Sequence, residues 1–258
     1  MDPAAIAARP CFLCPANLPE AQLGILYRRQ FLILCNPFPI FSSHFTISSL
    51  EHRPQAIEDN LDVFLYLARD LAPSFAVFYN GPQCGASAPD HLHFQACPVG
   101  SLPIETELDD GRLILPISKH LYSSVYRAEN LGRATLFIEG SDIGAVKETM
   151  QKILAVMKSA GATEMEPMLN IHATFKEGKW RILLFPRQKN RPDLYYLEGT
   201  EQVLISPGSV EMGGLLVAPV ERDFRRLNPE IIRHIYREVS VHPVLLERWA
   251  HQLSLTTD

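Results

Sequence analysis

The chain predicts an α+β fold made of two similarly ordered halves, on three observations. Apolar segments of strand length alternate with two long amphipathic stripes of helical period. The order strand, helix, strand, turn, strand occurs twice along the sequence. The 258 residues, 47% hydrophobic and 21% charged, suit one large domain or two fused halves sharing a core.

Taken in order, "FLILC" from Phe31 reads as an apolar strand that breaks at Asn36-Pro37, and "HFTIS" as its partner after a turn. From Arg53 to Leu71 the apolar residues Ile57, Leu61, Phe64, Leu65, Ala68 and Leu71 keep helical spacing, with Pro54 in the first turn. "FAVFYN" is a buried strand ending at Asn80. After a glycine-rich turn, "HLHFQAC" alternates, with His91, His93, Gln95 and Cys97 on one face. The second pass begins with the strand "ATLFIE" (Ala134 to Glu139). Ser141 or Asp142 then caps a helix with the stripe Ile143, Val146, Met150, Ile153, Leu154 and Met157, which Gly161 ends. "MLNIHATF" and "WRILLFPR" form a hairpin through Glu177-Gly178. "RQKNRP" (187–192) is a short basic loop, and Asn228-Pro229-Glu230 opens a late helix. Identity between the halves is low, so the duplication rests on element order.

Bulk properties narrow the function. A formal net charge of −5 argues against a nucleic-acid binder. No apolar run approaches membrane-spanning length. The start, "MDPAAIAARPCFLC", is too short and polar for a signal peptide, so the expected location is cytoplasmic. There the five cysteines are expected as thiols or metal ligands.

The stretch "GPQCGASAPDHLHFQACP" carries the chemistry. Side chains two apart on a strand lie about 6–7 Å from each other, so His91 and His93 can serve adjacent sites. Before them, the loop of Gly81, Gly85, Ala86 and Ser87 lets backbone N–H groups approach an anion. An imidazole beside such donors suits attack on phosphorus, with the donors stabilising charge on the phosphoryl oxygens. The structural alternative is a core strand whose histidines only bond to neighbours.

These residues resemble a family. His91-Leu92-His93-Phe94-Gln95 is similar to the His-x-His-x-Gln signature of the nucleotidyltransferase and phosphorylase branch of the histidine-triad superfamily, and the likeness extends back to Cys11. It implies an α+β fold with an antiparallel sheet and helices, in two halves as in galactose-1-phosphate uridylyltransferase. Residues 1–118 would be the catalytic half and 119–258 a degenerate second half completing the substrate site. His93 would be the nucleophile forming a nucleotidyl-histidine intermediate, and Gln95 would bond its phosphoryl oxygens. Glutamine does not titrate near neutrality, so it can orient a phosphoryl group without acting as acid or base for water. That favours transfer over hydrolysis. Relatives often place the first histidine directly after the proline, whereas here Asp90 separates Pro89 from His91.

Cys11 and Cys14 in "CFLC" have the spacing by which one turn of backbone presents two sulfurs to a metal. By resemblance, zinc-bearing members complete a Cys₂His₂ set with the first motif histidine, here His91, and one closing the second strand. His52 matches that place, with His44 as competitor, and the zinc would be structural. Cys35 and Cys97 read as small buried residues. By the same resemblance, Asn36 and Phe38 lie where the family encloses the nucleotide. Asn80 is a candidate for ribose or phosphate, with turn-backbone bonding as its alternative. Gly85, Ala86 and Ser87 would line the phosphate loop, while Arg187 and Lys189 could bind distal phosphates or form a solvated loop. His172 reads as a satisfied core histidine.

The expected activity is that of a nucleotidyltransferase or phosphorylase. Its substrate would be a nucleotide sugar or dinucleoside polyphosphate, and its acceptor phosphate or a sugar phosphate. Mg²⁺ is compatible but not required, and the resemblance is compatible with a homodimer. The rivals are a hydrolase on the same scaffold, a nucleotide-binding protein without turnover, and a zinc enzyme using metal-bound water.

Overall fold

The computed structural model describes residues 9–109, 114–160 and 166–255. Ten strands form one sheet: β1 (Gly24–Tyr27), β2 (Phe31–Cys35), β3 (Phe45–Ser49), β4 (Phe75–Asn80), β5 (His93–Pro98), β6 (Ile114–Lys119), β7 (Ser123–Ala128), β8 (Thr135–Gly140), β9 (Leu169–Lys176) and β10 (Lys179–Pro186). Among the described residues seven α-helices accompany it: α1 (Leu61–Asp70), α2 (Pro103–Glu107), α3 (Ile143–Ala160), α4 (Ser209–Met212), α5 (Glu221–Arg226), α6 (Pro229–Val239) and α7 (Pro243–Leu255).

The sheet order β1-β2-β3-β5-β4-β9-β10-β8-β7-β6 is antiparallel throughout. Read outward from the centre, it runs β4-β5-β3-β2-β1 one way and β9-β10-β8-β7-β6 the other. The two lists match position for position. α1 falls between β3 and β4 in the chain, as α3 falls between β8 and β9. The halves join through the β4:β9 ladder, where Phe78 faces His172 and Asn80 faces Asn170. A division at residue 118 falls within β6, which pairs with β7.

One core lies under α1, α3 and α7, where Leu61, Phe64 and Leu65 meet Val146, Met150, Ile153 and Leu154 over Phe94, Ile171 and Ile182. Trp180 of β10 donates from Nε1 to the Leu65 carbonyl at 2.9 Å, tying the second half's sheet to the first half's helix. The opposite face buries Phe78, Cys97, Phe137, Leu183 and Phe185 against Leu102, Ile104, Met212 and Tyr236. Central strands β4, β9 and β10 are buried on both faces, which explains their nearly unbroken apolar sequences.

Several expectations need correction. The first helix starts at Leu61, not Arg53. Residues 53–56 form no helix, because the Arg53 carbonyl accepts from Leu92 N–H and Gln55 N–H donates to the Pro89 carbonyl. The strand expected from His91 begins at His93. Asp142 is the cap of α3, its Oδ1 accepting from Ala145 N–H at 2.8 Å; Gly161 lies outside the described residues. Cys35 is exposed at the end of β2, whereas Cys97 is buried as expected. Glu177 and Gly178 turn the last hairpin with φ of 53° and 77°, and Asn228 caps α6. No described helix is long and apolar enough to cross a membrane.

Candidate active site and metal centre

Four ligand atoms from three segments converge beside the glycine-rich loop. One atom each of Cys11, Cys14, His52 and His91 lies within 4.8 Å of all the others. Cys11 Sγ is 3.2 Å from His91 Nδ1, and Cys14 Sγ is 3.2 Å from His52 Nδ1. The outer nitrogens are held as a metal requires. His91 Nε2 meets the Ser49 carbonyl at 2.8 Å, which assigns the proton to Nε2 and turns the Nδ1 lone pair toward the sulfurs. His52 Nε2 lies 3.7 Å from Asp90. Burial and the neighbouring Cys11 raise the Cys14 thiol above its ordinary pKa, a crowding that a central cation would reverse. The residues therefore fit a tetrahedral ion such as zinc. His52 is the fourth member and His44 is elsewhere.

His93 opens β5, and its main chain is fixed by one side chain. Gln55 Oε1 accepts from His93 N–H at 2.8 Å, while its amide donates to the carbonyls of His93 and Asn80 at 3.0 and 2.9 Å. The His93 ring places Nδ1 2.8 Å from the His91 carbonyl. That bond puts the proton on Nδ1 and leaves the Nε2 lone pair as the nucleophilic one. Burial, outweighing the His91 carbonyl, lowers the pKa to about 4, so the ring is neutral at pH 7. The ring is 3% exposed.

Gln95 is held by a residue absent from the expected site. Ile40 N–H donates to His44 Nδ1 at 3.2 Å, so His44 carries its proton on Nε2 and donates to Gln95 Oε1 at 2.8 Å. Asn36 Nδ2 adds a longer bond of 3.4 Å to the same oxygen. With Oε1 accepting twice, the Gln95 amide N–H groups are left as the donors these two bonds do not use. Desolvation depresses the His44 pKa, which keeps the ring neutral.

A cavity of about 1240 Å³ is walled by Gly85, Ala86 and Ser87, by the metal-ligand segments, and by Met168, Asn190, Arg191 and Ser206 of the second half. Gly85 has φ +92°, and a Cβ there would come within 3.0 Å of the Gly208 backbone, so both its conformation and the close approach require glycine. The His93 ring is not among these wall residues.

Other expected contacts are engaged inside the protein. Arg187 is 3% exposed. It donates to Asn170 Oδ1 and to the carbonyls of Pro207, Val239, Lys189 and Asn190. Asn80 Oδ1 accepts from Asn170 Nδ2 and Ser209 N–H, at 2.8 and 2.7 Å. Asn80, Asn170 and Arg187 thus form a buried network across the junction of the halves. Lys189 is paired with Asp193 and Glu238. Phe38 is 86% exposed. His172 is buried, but neither ring nitrogen has a hydrogen-bond partner among the described residues; Glu105 is nearest, at 3.6 Å. It is therefore not the satisfied core histidine expected. His44 was expected only as a competing metal ligand, Arg191 only as part of a basic loop, and Gln55 not at all. The signal for the role of His44 was its same-face spacing with Thr46, opposite Gln95 once β3 and β5 pair.

The antiparallel sheet of paired halves, with helices on both faces, is an α+β fold. Among solved structures, yeast Ap4A phosphorylase shares it at 18% identity and a TM-score of 0.58, covering 82% of this chain and 72% of that one. The same enzyme in complex with Ap4A matches at 15% identity and 0.57, over 82% of this chain and 73% of that one. A uridylyltransferase matches at 11% identity and 0.50, over 97% and 91%. A family model described as "Domain of unknown function (DUF4922)" matches residues 1–98. No curated protein sequence matches the chain significantly.

Proposed function

We propose that the chain is a nucleotidyltransferase of the phosphorylase type, acting on a nucleotide sugar or dinucleoside polyphosphate through His93. The observation carrying this reading is the pairing of two oriented side chains: His93 with Nδ1 bound to the His91 carbonyl, and Gln95 with its oxygen bound by His44. The activities of yeast Ap4A phosphorylase and of the uridylyltransferase, which share the fold, support it.

In the first step the Nε2 lone pair attacks the α-phosphorus. The N–P bond forms, the P–O bond to the leaving phosphate breaks, and that oxygen keeps the bonding pair. The ring then carries phosphorus on Nε2 and the proton on Nδ1, its positive charge facing the His91 carbonyl. In the second step an oxygen of phosphate or a sugar phosphate attacks phosphorus, the N–P bond breaks, and the pair returns to Nε2. Gln95 donates to the phosphoryl oxygens in both steps and exchanges no proton. A zinc ion on Cys11, Cys14, His52 and His91 would pin the N-terminal segment to the base of the glycine loop.

Residues 1–118 carry the reacting groups in this reading, and the second half contributes a cavity wall. Since the His93 ring is 3% exposed, phosphorus reaches Nε2 only if neighbouring side chains yield. That burial favours the second reading, a nucleotide-binding protein without turnover. Incubation with nucleotide sugars and dinucleoside polyphosphates separates the readings. Transfer predicts product only when phosphate or a sugar phosphate is added. Product in phosphate-free buffer indicates hydrolysis, and tight nucleotide binding without product indicates the second reading.

A further inference from the structure

We infer that Arg191 forms a phosphate subsite serving both the group that leaves His93's substrate and the group that replaces it; this rests on the reading just given. Arg191 lines the same 1240 Å³ cavity as Gly85, Ala86 and Ser87. Two contacts fix its fork. Nε donates to Ser206 Oγ at 2.8 Å, and the guanidinium carbon lies 4.2 Å from the centroid of the Tyr195 ring. Among the described residues no carboxylate pairs with it and no acceptor takes its terminal nitrogens. Its neighbours in the basic loop differ. Arg187 is saturated by five acceptors and Lys189 is held by two carboxylates. In the same cavity wall, the backbone N–H groups of Gly85, Ala86 and Ser87 have no protein acceptor among the described residues. A preorganised arginine fork and a loop of main-chain donors lining one cavity suit a tetrahedral dianion.

In-line displacement explains why one subsite serves two groups. The leaving oxygen departs opposite Nε2, and the incoming oxygen must attack from that same side. The subsite holds the departing phosphate in the first step and inorganic phosphate or a sugar phosphate in the second.

The test uses inorganic pyrophosphate and phosphate as probes, which removes the base from the question. Titration calorimetry on the full chain should show pyrophosphate binding that weakens roughly ten- to a hundredfold in Arg191→Ala, as for loss of a charged hydrogen-bond pair. Tyr195→Leu, which frees the fork but keeps its charge, should weaken binding less, and Arg233→Ala on the exposed face of α6 should match wild type. In turnover, KM for the nucleotide donor and KM for phosphate should rise by similar factors in Arg191→Ala. Wild-type-like pyrophosphate affinity in that variant, no binding to the wild type, or a rise confined to one KM would overturn the inference. Label transfer to His93 with unaltered KM values would defeat the subsite alone. Arg191-dependent pyrophosphate binding in a protein that never labels His93 would defeat the catalytic reading alone.

Discussion

β5 and β10 occupy equivalent positions in the two halves, each beside a central strand, yet they are reached differently. The chain passes from β9 to β10 through two residues, Glu177 and Gly178, in left-handed conformations. It passes from β4 to β5 through residues 81–92, a loop carrying Gly85 and His91. A tight hairpin satisfies its own backbone and leaves no room for a ligand. The longer loop leaves the Gly85, Ala86 and Ser87 N–H groups without an acceptor among the described residues and brings an imidazole to the start of the strand. Where β5 presents His93 and Gln95, β10 presents Arg181 and Leu183 on the face that packs with Phe137. One framework therefore carries the candidate site in one half and a buttress in the other, and the connections before β5 and β10 differ accordingly.

The sharpest way to break this comparison is at the junction. Arg187→Ala would strip the donor shared by Asn170, Pro207 and Val239, leaving buried acceptors unpaired. A loss of about 3–5 kcal/mol in unfolding free energy is expected by denaturant titration. A variant as stable as wild type would return Arg187 to the ligand-binding role.

The four residues of the candidate metal cluster all come from the first half. Cys11→Ser should lower zinc content from about one ion per chain to near zero by elemental analysis, with a fall in Tm. Unchanged metal content would exclude this ligand set.

His44 tests whether the Gln95 orientation matters. His44→Ala should lower kcat by roughly ten- to a hundredfold with a smaller change in KM, because the bond it removes sets geometry rather than affinity. Equal kcat would show that Gln95 is placed by Asn36 and packing.

The smallest effect concerns the second latch between halves. Glu166 accepts from Ile57 N–H and from the Tyr79 hydroxyl, yet burial outweighs both bonds and pushes its pKa up to about 7. The folded state thus binds an extra proton between the unfolded value near 4.5 and about 7, so stability falls as pH rises through that window. Glu166→Gln should flatten this slope, gaining about 1–3 kcal/mol above pH 7. An unchanged slope would assign the pH dependence to other groups.

Much of this was legible in the chain because it depends on local pattern. Apolar runs located the central strands and the 3.6-residue period located α3, while Cys-x-x-Cys gave two of the clustered residues and the family resemblance gave His52 and His91. The remainder depends on pairing across distance. The helical stripe was read back to Arg53, yet residues 53–56 form no helix, since Gln55 has backbone partners on both β4 and β5. "RQKNRP" was recognisable as basic, but which of its cations faces the cavity depends on where β10 ends. Arg187 still bonds inward as part of a bridge to Ser240, and Arg191 lies beyond the turn. His44 acquires its role only when β3 is laid against β5.

The central claim is covalent chemistry at one ring nitrogen. Wild-type protein and His93→Ala would be incubated with α-³²P-labelled nucleotide sugars and dinucleoside polyphosphates without acceptor, quenched in base, and digested for peptide mapping. Acid-labile, base-stable label on the peptide containing His93, absent from the variant, is the expected result. Label persisting in His93→Ala, or wild-type turnover without labelling, would contradict it.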